Sequence, residues 1–209
     1  MRLFLSSYRL GGDPRLLTAL CPPPCAVGVI GNAADSWPSA AREWAIRSEF
    51  EALAPLGYQP EEIDLRSLAG CTSSEAHNRL QRYPLIWVRG GNTFVLRARL
   101  AQSGTDAALS SLVSSGKITY GGYSAGACVL APSLAGLDTL DDPDECTRVC
   151  GVEPIWRGLG LIDFAIVPHY QSPGHESPDA ISALVERYER GGVPCRALRD
   201  GEVITVNDD

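Results

Sequence analysis

The chain of 209 residues holds no apolar run long enough to cross a bilayer. Its opening stretch, Met1 to Ser7, carries only Leu3-Phe4-Leu5 before polar residues begin, which is too short for the core of a signal peptide. No block of like charge stands out, and the net charge is −7. That balance excludes a nucleic-acid partner, since phosphate binding needs clustered Lys and Arg. Internal repeats and Gly/Ser-rich linkers are missing, so residues 1–209 read as one domain. The spaced Gly-Lys-Ser/Thr of a phosphate-binding loop is also missing. The seven Cys include two pairs, Cys21 with Cys25 and Cys146 with Cys150, but neither pair has the tight spacing or the nearby His of a zinc site. An odd Cys count without an export signal predicts reduced thiols and a cytoplasmic protein.

What is present is enough apolar residue, 44%, for a full core without staples. Short apolar runs alternate with amphipathic stretches, the pattern of an α/β fold with a mostly parallel sheet and helices on both faces. Strands are predicted at Arg2–Ser7, Ala26–Gly31, Gln59–Asp64, Leu85–Arg89, Ile118–Gly121 and Phe164–Pro168. Leu85-Ile86-Trp87-Val88 is the continuous kind expected of a strand buried on both faces. Helices are predicted from about Ser36 to Leu53, and at Ser74–Tyr83, Thr93–Ser103, Thr105–Ser114 and Pro178–Arg190. Asp200-Gly201 between Arg196–Leu198 and Glu202–Val206 predicts a C-terminal hairpin. Pro132 to Gly160 shows no clear period and reads as a long irregular connection, of the kind that often carries function.

Gly122-Tyr123-Ser124-Ala125-Gly126 fits the strand–turn–helix pattern that lifts a Ser hydroxyl clear of a sheet. The pattern alone also occurs as a plain tight turn. Here a strand precedes it and a helix start follows, which favours Ser124 as a nucleophile. A Ser nucleophile needs a base, and there are three His. His77 lies in a polar helix and reads as a surface residue. His169 follows Phe164–Pro168, at the sheet edge where sites form in open α/β folds, and is preferred over His175. The orienting acid stays open among Asp138, Asp141, Asp142, Asp144, Glu145, Glu153 and Asp163. Ala125 and the Gly90-Gly91-Asn92-Thr93 turn are the candidates for backbone amides facing a developing oxyanion. The bland reading of that turn is a βα connection with an Asn or Thr cap.

Gly90-Gly91-Asn92-Thr93-Phe94, Gly122-Tyr123-Ser124-Ala125-Gly126-Ala127 and Pro168-His169-Tyr170, in this order, resemble the peptidase E family of serine peptidases. The resemblance implies a flavodoxin-like fold similar to class I glutamine amidotransferases, and a short peptide substrate such as an Asp-X dipeptide. Ser124 would be nucleophile and His169 base, with Gly91 and Ala125 forming the oxyanion hole and Asn92 and Thr93 at the substrate. No metal or cofactor is implied, and no nucleic-acid or membrane partner. The chain would act as a monomer or homodimer. The acid-before-Pro context selects Asp142 as the third member, with Asp138 or Glu153 behind it. Where the family's dipeptidases carry an Arg for the substrate aspartate, this chain has Glu176-Ser177-Pro178, so Arg157, or else Arg89, becomes the candidate substitute and the Asp preference should be weak. Two other readings stay open: a glutaminase-like enzyme, which would want Cys at the elbow, and a non-catalytic amidotransferase-like binding or regulatory module.

Overall fold

The computed structural model describes residues 1–174 and 177–208. His175, Glu176 and Asp209 lie outside the described residues, so the alternative base His175 is not placed. Six strands form the central sheet in the order β3-β2-β4-β5-β1-β8. They are β1 (Arg2–Ser6), β2 (Ala26–Ile30), β3 (Gln59–Glu62), β4 (Leu85–Val88), β5 (Thr119–Tyr123) and β8 (Val203–Asn207). The first five run parallel, and β8 pairs antiparallel with β1 at one edge. The opposite edge is β3, whose Gln-Pro-Glu-Glu sequence leaves polar side chains and a proline where unwanted strand pairing would otherwise start.

Side-chain alternation divides the interior in two. Leu3, Leu5, Ile86 and Val88 belong to one buried cluster, whereas Phe4, Leu85 and Trp87 belong to another. Neighbours along a strand point to opposite faces, so continuous apolar strands feed both cores. On the second face lie α1 (Arg15–Leu20) and α2 (Ser39–Leu53), which contribute Leu17, Leu20 and Leu53. The first face is covered by α3 (Ser73–Leu80), α4 (Thr93–Gln102) and α5 (Thr105–Ser114). Each fully buried Leu or Ile contributes roughly 1.5–3 kcal/mol, so this two-sided burial is the main source of rigidity under the site. Thr72 and Glu75 form a reciprocal capping box at α3, and the Asn92 side chain caps α4 through the amides of Phe94 and Val95.

Two sequence expectations need correction. The segments flanking Asp200-Gly201 do not form a hairpin. β7 (Cys195–Ala197) pairs in parallel with β6 (Ala165–Val167) in a separate two-stranded sheet, while β8 joins the main sheet. A tight turn reverses the chain, but each arm finds a free strand edge elsewhere. The long connection after β5 is also less irregular than its sequence suggests. After the short α6 (Ala125–Cys128), it contains a 3₁₀ turn at Leu137–Thr139 and α7 (Asp144–Cys150). Only Cys146 of α7 is buried, so one apolar contact replaces the periodic stripe that would have announced a helix. The last helix, α8 (Pro178–Arg190), begins with Pro at its first position, where the missing N–H costs no hydrogen bond.

Candidate active site

Ser124 stands between β5 and α6 with φ 49° and ψ −120°, a backbone conformation that costs a non-glycine residue energy and is kept only where the surroundings enforce it. Packing enforces it here. A Cβ on Gly126 would collide with the Val88 carbonyl oxygen of β4, and one on Gly122 would lie 2.7 Å from the Gly126 carbonyl oxygen. Below the turn, the Tyr123 hydroxyl donates to Glu49 at 2.6 Å, and the Trp87 indole donates to the same buried carboxylate at 2.9 Å. The elbow is therefore tied both to β4 and to α2.

His169 follows β6 and also has a positive φ, 62°. Its Nε2 lies 3.3 Å from Ser124 Oγ, and its Nδ1 lies 2.8 Å from Asp200 Oδ1. A carboxylate only accepts, so Nδ1 carries the proton and Nε2 is left to accept from the serine hydroxyl. Ser7, at the end of β1, completes the line. Its hydroxyl donates to Asp200 Oδ1 at 2.8 Å and accepts from the His169 amide at 2.7 Å. The Asp200 amide in turn donates to Ser172 Oγ at 2.8 Å.

The acid beside His169 is thus Asp200, in the turn between β7 and β8, and not Asp142. Asp142 is exposed and bonds Arg148 at 2.6 Å, which holds its carboxyl below the usual carboxylate range. Asp138 is an exposed residue that accepts from the Gly136 amide, and Glu153 is exposed. Arg157 is exposed as well. It bridges Ser133 and gives its carbonyl to Arg97, and it lines neither cleft described below. Neither Ser7 nor Asp200 stands out in the sequence as a site residue. The available signal was topological: a parallel strand paired with β6 must end at the same sheet edge as His169, so an acid just after it can reach the imidazole.

The hydroxyl opens onto a cavity of about 490 Å³ lined by Gly91, Asn92, Thr93, Cys128, Asp141 and Glu145, among others. Gly91 has φ 144°, and a Cβ there would collide with the Ala33 carbonyl oxygen, so the Gly90-Gly91 turn can approach Ser124 only without a side chain. The Gly91 and Ala125 amides donate to no carbonyl among the described residues. Asn92 and Thr93 line the cavity but spend their polar atoms on its wall. Asn92 Nδ2 donates to the Asp142 carbonyl at 2.8 Å and to Glu145 Oε2 at 3.0 Å, and the amide and hydroxyl of Thr93 donate to Asp141 Oδ2 at 2.9 and 2.6 Å. Burial pushes the Asp141 carboxyl up from its ordinary pKa, against the pull of the Thr93 donors. The Cys128 thiol donates to the Ile166 carbonyl, and burial raises it too, so it is a neutral packing group. A second cleft of about 230 Å³ shares Trp37, Gly91, Ser124 and His169 with the first and adds Tyr8, Arg9, Trp44 and Arg89, among others. The Tyr8 ring stands edge-on to His169, with centroids 6.1 Å apart.

Comparison with known proteins follows the same lines. An uncharacterized peptidase of Listeria monocytogenes is 33% identical over 122 residues, 58% of this chain and 56% of the relative. A protein of Drosophila melanogaster named probable alpha-aspartyl dipeptidase is 29% identical over 160 residues, 75% of this chain and 60% of the relative. The matches thus span little more than half the length of these relatives. The crystal structure of a Listeria monocytogenes protein described as a peptidase E superposes over 100% of this chain and 98% of its own, with 26% identity and a TM-score of 0.75. Residues 35–209 match the model of Peptidase family S51, a stretch that includes the elbow serine, the histidine after β6 and the acid beyond β7, and the chain belongs to that family.

Proposed function

We propose that the protein is a serine-type hydrolase of short peptides, most simply a dipeptidase, acting through an acyl-enzyme. The observation that carries this reading is the unbroken line from Ser124 Oγ through His169 to Asp200, with Ser124 held in a strained elbow at the cavity mouth. In the proposed reaction the Ser124 hydroxyl gives its proton to His169 Nε2 as Oγ bonds to the scissile carbonyl carbon. The carbonyl oxygen becomes an oxyanion taken up by the Gly91 and Ala125 amides, which line the cavity and donate to no carbonyl among the described residues. Asp200, a positioning residue, holds the imidazole by Nδ1 and stabilises the imidazolium. His169 then returns the proton to the departing amine as the C–N bond breaks. A water molecule, deprotonated by the same imidazole, releases the acid product.

The separation of 3.3 Å between Ser124 and His169 is typical of a resting site, where such contacts tighten once substrate is bound. The test is turnover of a dipeptide library together with labelling by a serine-reactive phosphonate. Ser124→Ala and His169→Ala should each lower kcat by roughly a thousandfold or more, because members of such a unit act together. The phosphonate should modify Ser124 and leave Cys128 untouched. Full turnover by the Ser124→Ala protein would end this reading, and absence of both turnover and labelling in the unmodified protein would favour a binding module.

A further inference from the structure

The two clefts beside Ser124 carry opposite charge, and we propose that together they read the two end charges of a free dipeptide: Asp141 and Glu145 take the N-terminal ammonium, and Arg9 takes the C-terminal carboxylate. This inference rests on the hydrolase reading above and names the substrate feature that the site selects.

The larger cavity has no Lys or Arg in its described lining. Of its acids, Asp142 is already committed to Arg148. Asp141 and Glu145 are within ion-pair reach of no basic side chain among the described residues. Their bonds come from neutral donors, Thr93 and Asn92, and each of those bonds engages a single carboxylate oxygen. The carboxyl of Asp141 is packed among protein atoms, where an ionised group without a counter-charge is costly. An ammonium entering the cavity would supply that counter-charge.

The smaller cleft is the mirror case. Arg89 is spent on Glu49, the Gly90 carbonyl and the face of Trp37. Among the described residues the Arg9 guanidinium bonds the Tyr8 hydroxyl at 3.2 Å and lies over its ring, and it forms an ion pair with no carboxylate. In the same cleft Trp44 is 56% exposed, leaving apolar surface for the side chain of the second residue. Both clefts meet at Trp37, Gly91, Ser124 and His169. Two extended residues span about 7 Å, so a dipeptide whose scissile carbonyl sits at Ser124 places its ends on opposite sides of that junction. The same acidic wall would repel an aspartate side chain.

The experiment compares Ala-Leu, N-acetyl-Ala-Leu, Ala-Leu-amide and Lys-Leu by kcat/KM, and by calorimetric binding to the non-hydrolysing Ser124→Ala protein. Loss of one charge-assisted contact is expected to cost ten- to a hundredfold for each capped peptide. Asp141→Asn, which keeps an acceptor for Thr93, should shrink the penalty for acetylation and leave the amide penalty unchanged. Arg9→Gln should do the reverse. Equal cleavage of free and capped peptides would overturn the inference while leaving the hydrolase reading intact. A preference above tenfold for Lys-Leu with no acetylation penalty would overturn it too, by assigning the acidic wall to a basic side chain. Selective binding of free Ala-Leu by the Ser124→Ala protein would support it even if turnover failed.

Discussion

Ser124, His169 and Asp200 are held by different means. Ser124 is held by backbone strain, since its φ of 49° persists only under the packing of Gly122 and Gly126. Asp200 is held by hydrogen bonds from Ser7 and His169 to one of its oxygens. With 37% of its side chain accessible, Asp200 is less desolvated than a fully enclosed acid. In the proposed mechanism its chief contribution is then to fix the tautomer of His169, because a carboxylate accepts the Nδ1 proton and an amide can equally present N–H. Asp200→Asn should therefore lower kcat by about a thousandfold with KM nearly unchanged, while Asp142→Asn should alter neither by more than about twofold, because its partner is the exposed Arg148. Steady-state kinetics of the two variants side by side make the check, and the opposite ranking would return the acid to the loop after β5.

At the scale of elements, the site depends on how closely α6 and the end of β5 lie against β4. Gly126 sets that distance, because its missing Cβ leaves room for the Val88 carbonyl. A backbone oxygen cannot change rotamer to make way, so Gly126→Ala must push the elbow off β4. The expected cost is about 2–3 kcal/mol of stability, at the upper end for overpacking. The Ala125 amide moves with the elbow relative to Gly91, so kcat should fall as well. Thermal unfolding and kinetics on the same preparation test both parts. A variant with unchanged Tm and kcat would show that the elbow has slack which the packing denies. Tyr123 supports the turn from the other side, since its hydroxyl, the Trp87 indole and Arg89 all converge on Glu49.

For the molecule as a whole, three strands of distant sequence position, β1, β5 and β6, deliver Ser7, Ser124 and His169 to one edge, and the turn between β7 and β8 brings Asp200 to them. That turn is anchored on both sides, by β7 on β6 and by β8 on β1. The Ser7 amide donates to the Glu202 carbonyl, and the Gly12 amide to that of Gly201. A chain ended after Glu202 keeps Asp200 but loses β8. It should keep most of its secondary structure, unfold at lower temperature, and show kcat reduced at least about tenfold, because the residual turn holds its carboxylate less firmly. Circular dichroism with kinetics would decide. Unchanged kcat would mean that the turn needs no anchor from the sheet.

Several features were legible in the chain itself. The buried strands announce themselves because a strand covered on both faces must be apolar throughout, as Leu85–Val88 is. The placement of Ser124, Gly91, Ala125 and His169 around one cavity was legible because each belongs to a turn whose geometry needs small residues at fixed local spacing, or directly follows such a strand. The short α7 was hidden because a helix with one buried residue leaves no period to read. The pairing of β7 and β8 was hidden because Asp200-Gly201 encodes a reversal of the chain and says nothing of which free edge each arm will meet. Asp200 itself lies 31 positions from His169, and any carboxylate on any loop at that edge could have served. Local sequence therefore determined the elbow, the histidine after β6 and the strands, since short-range sterics and burial dictate them. The partner acid and the charge of each cleft were decided only when the tertiary fold brought the strand ends together, because a hydrogen bond between loops is a property of their positions in space and leaves no pattern in either loop alone.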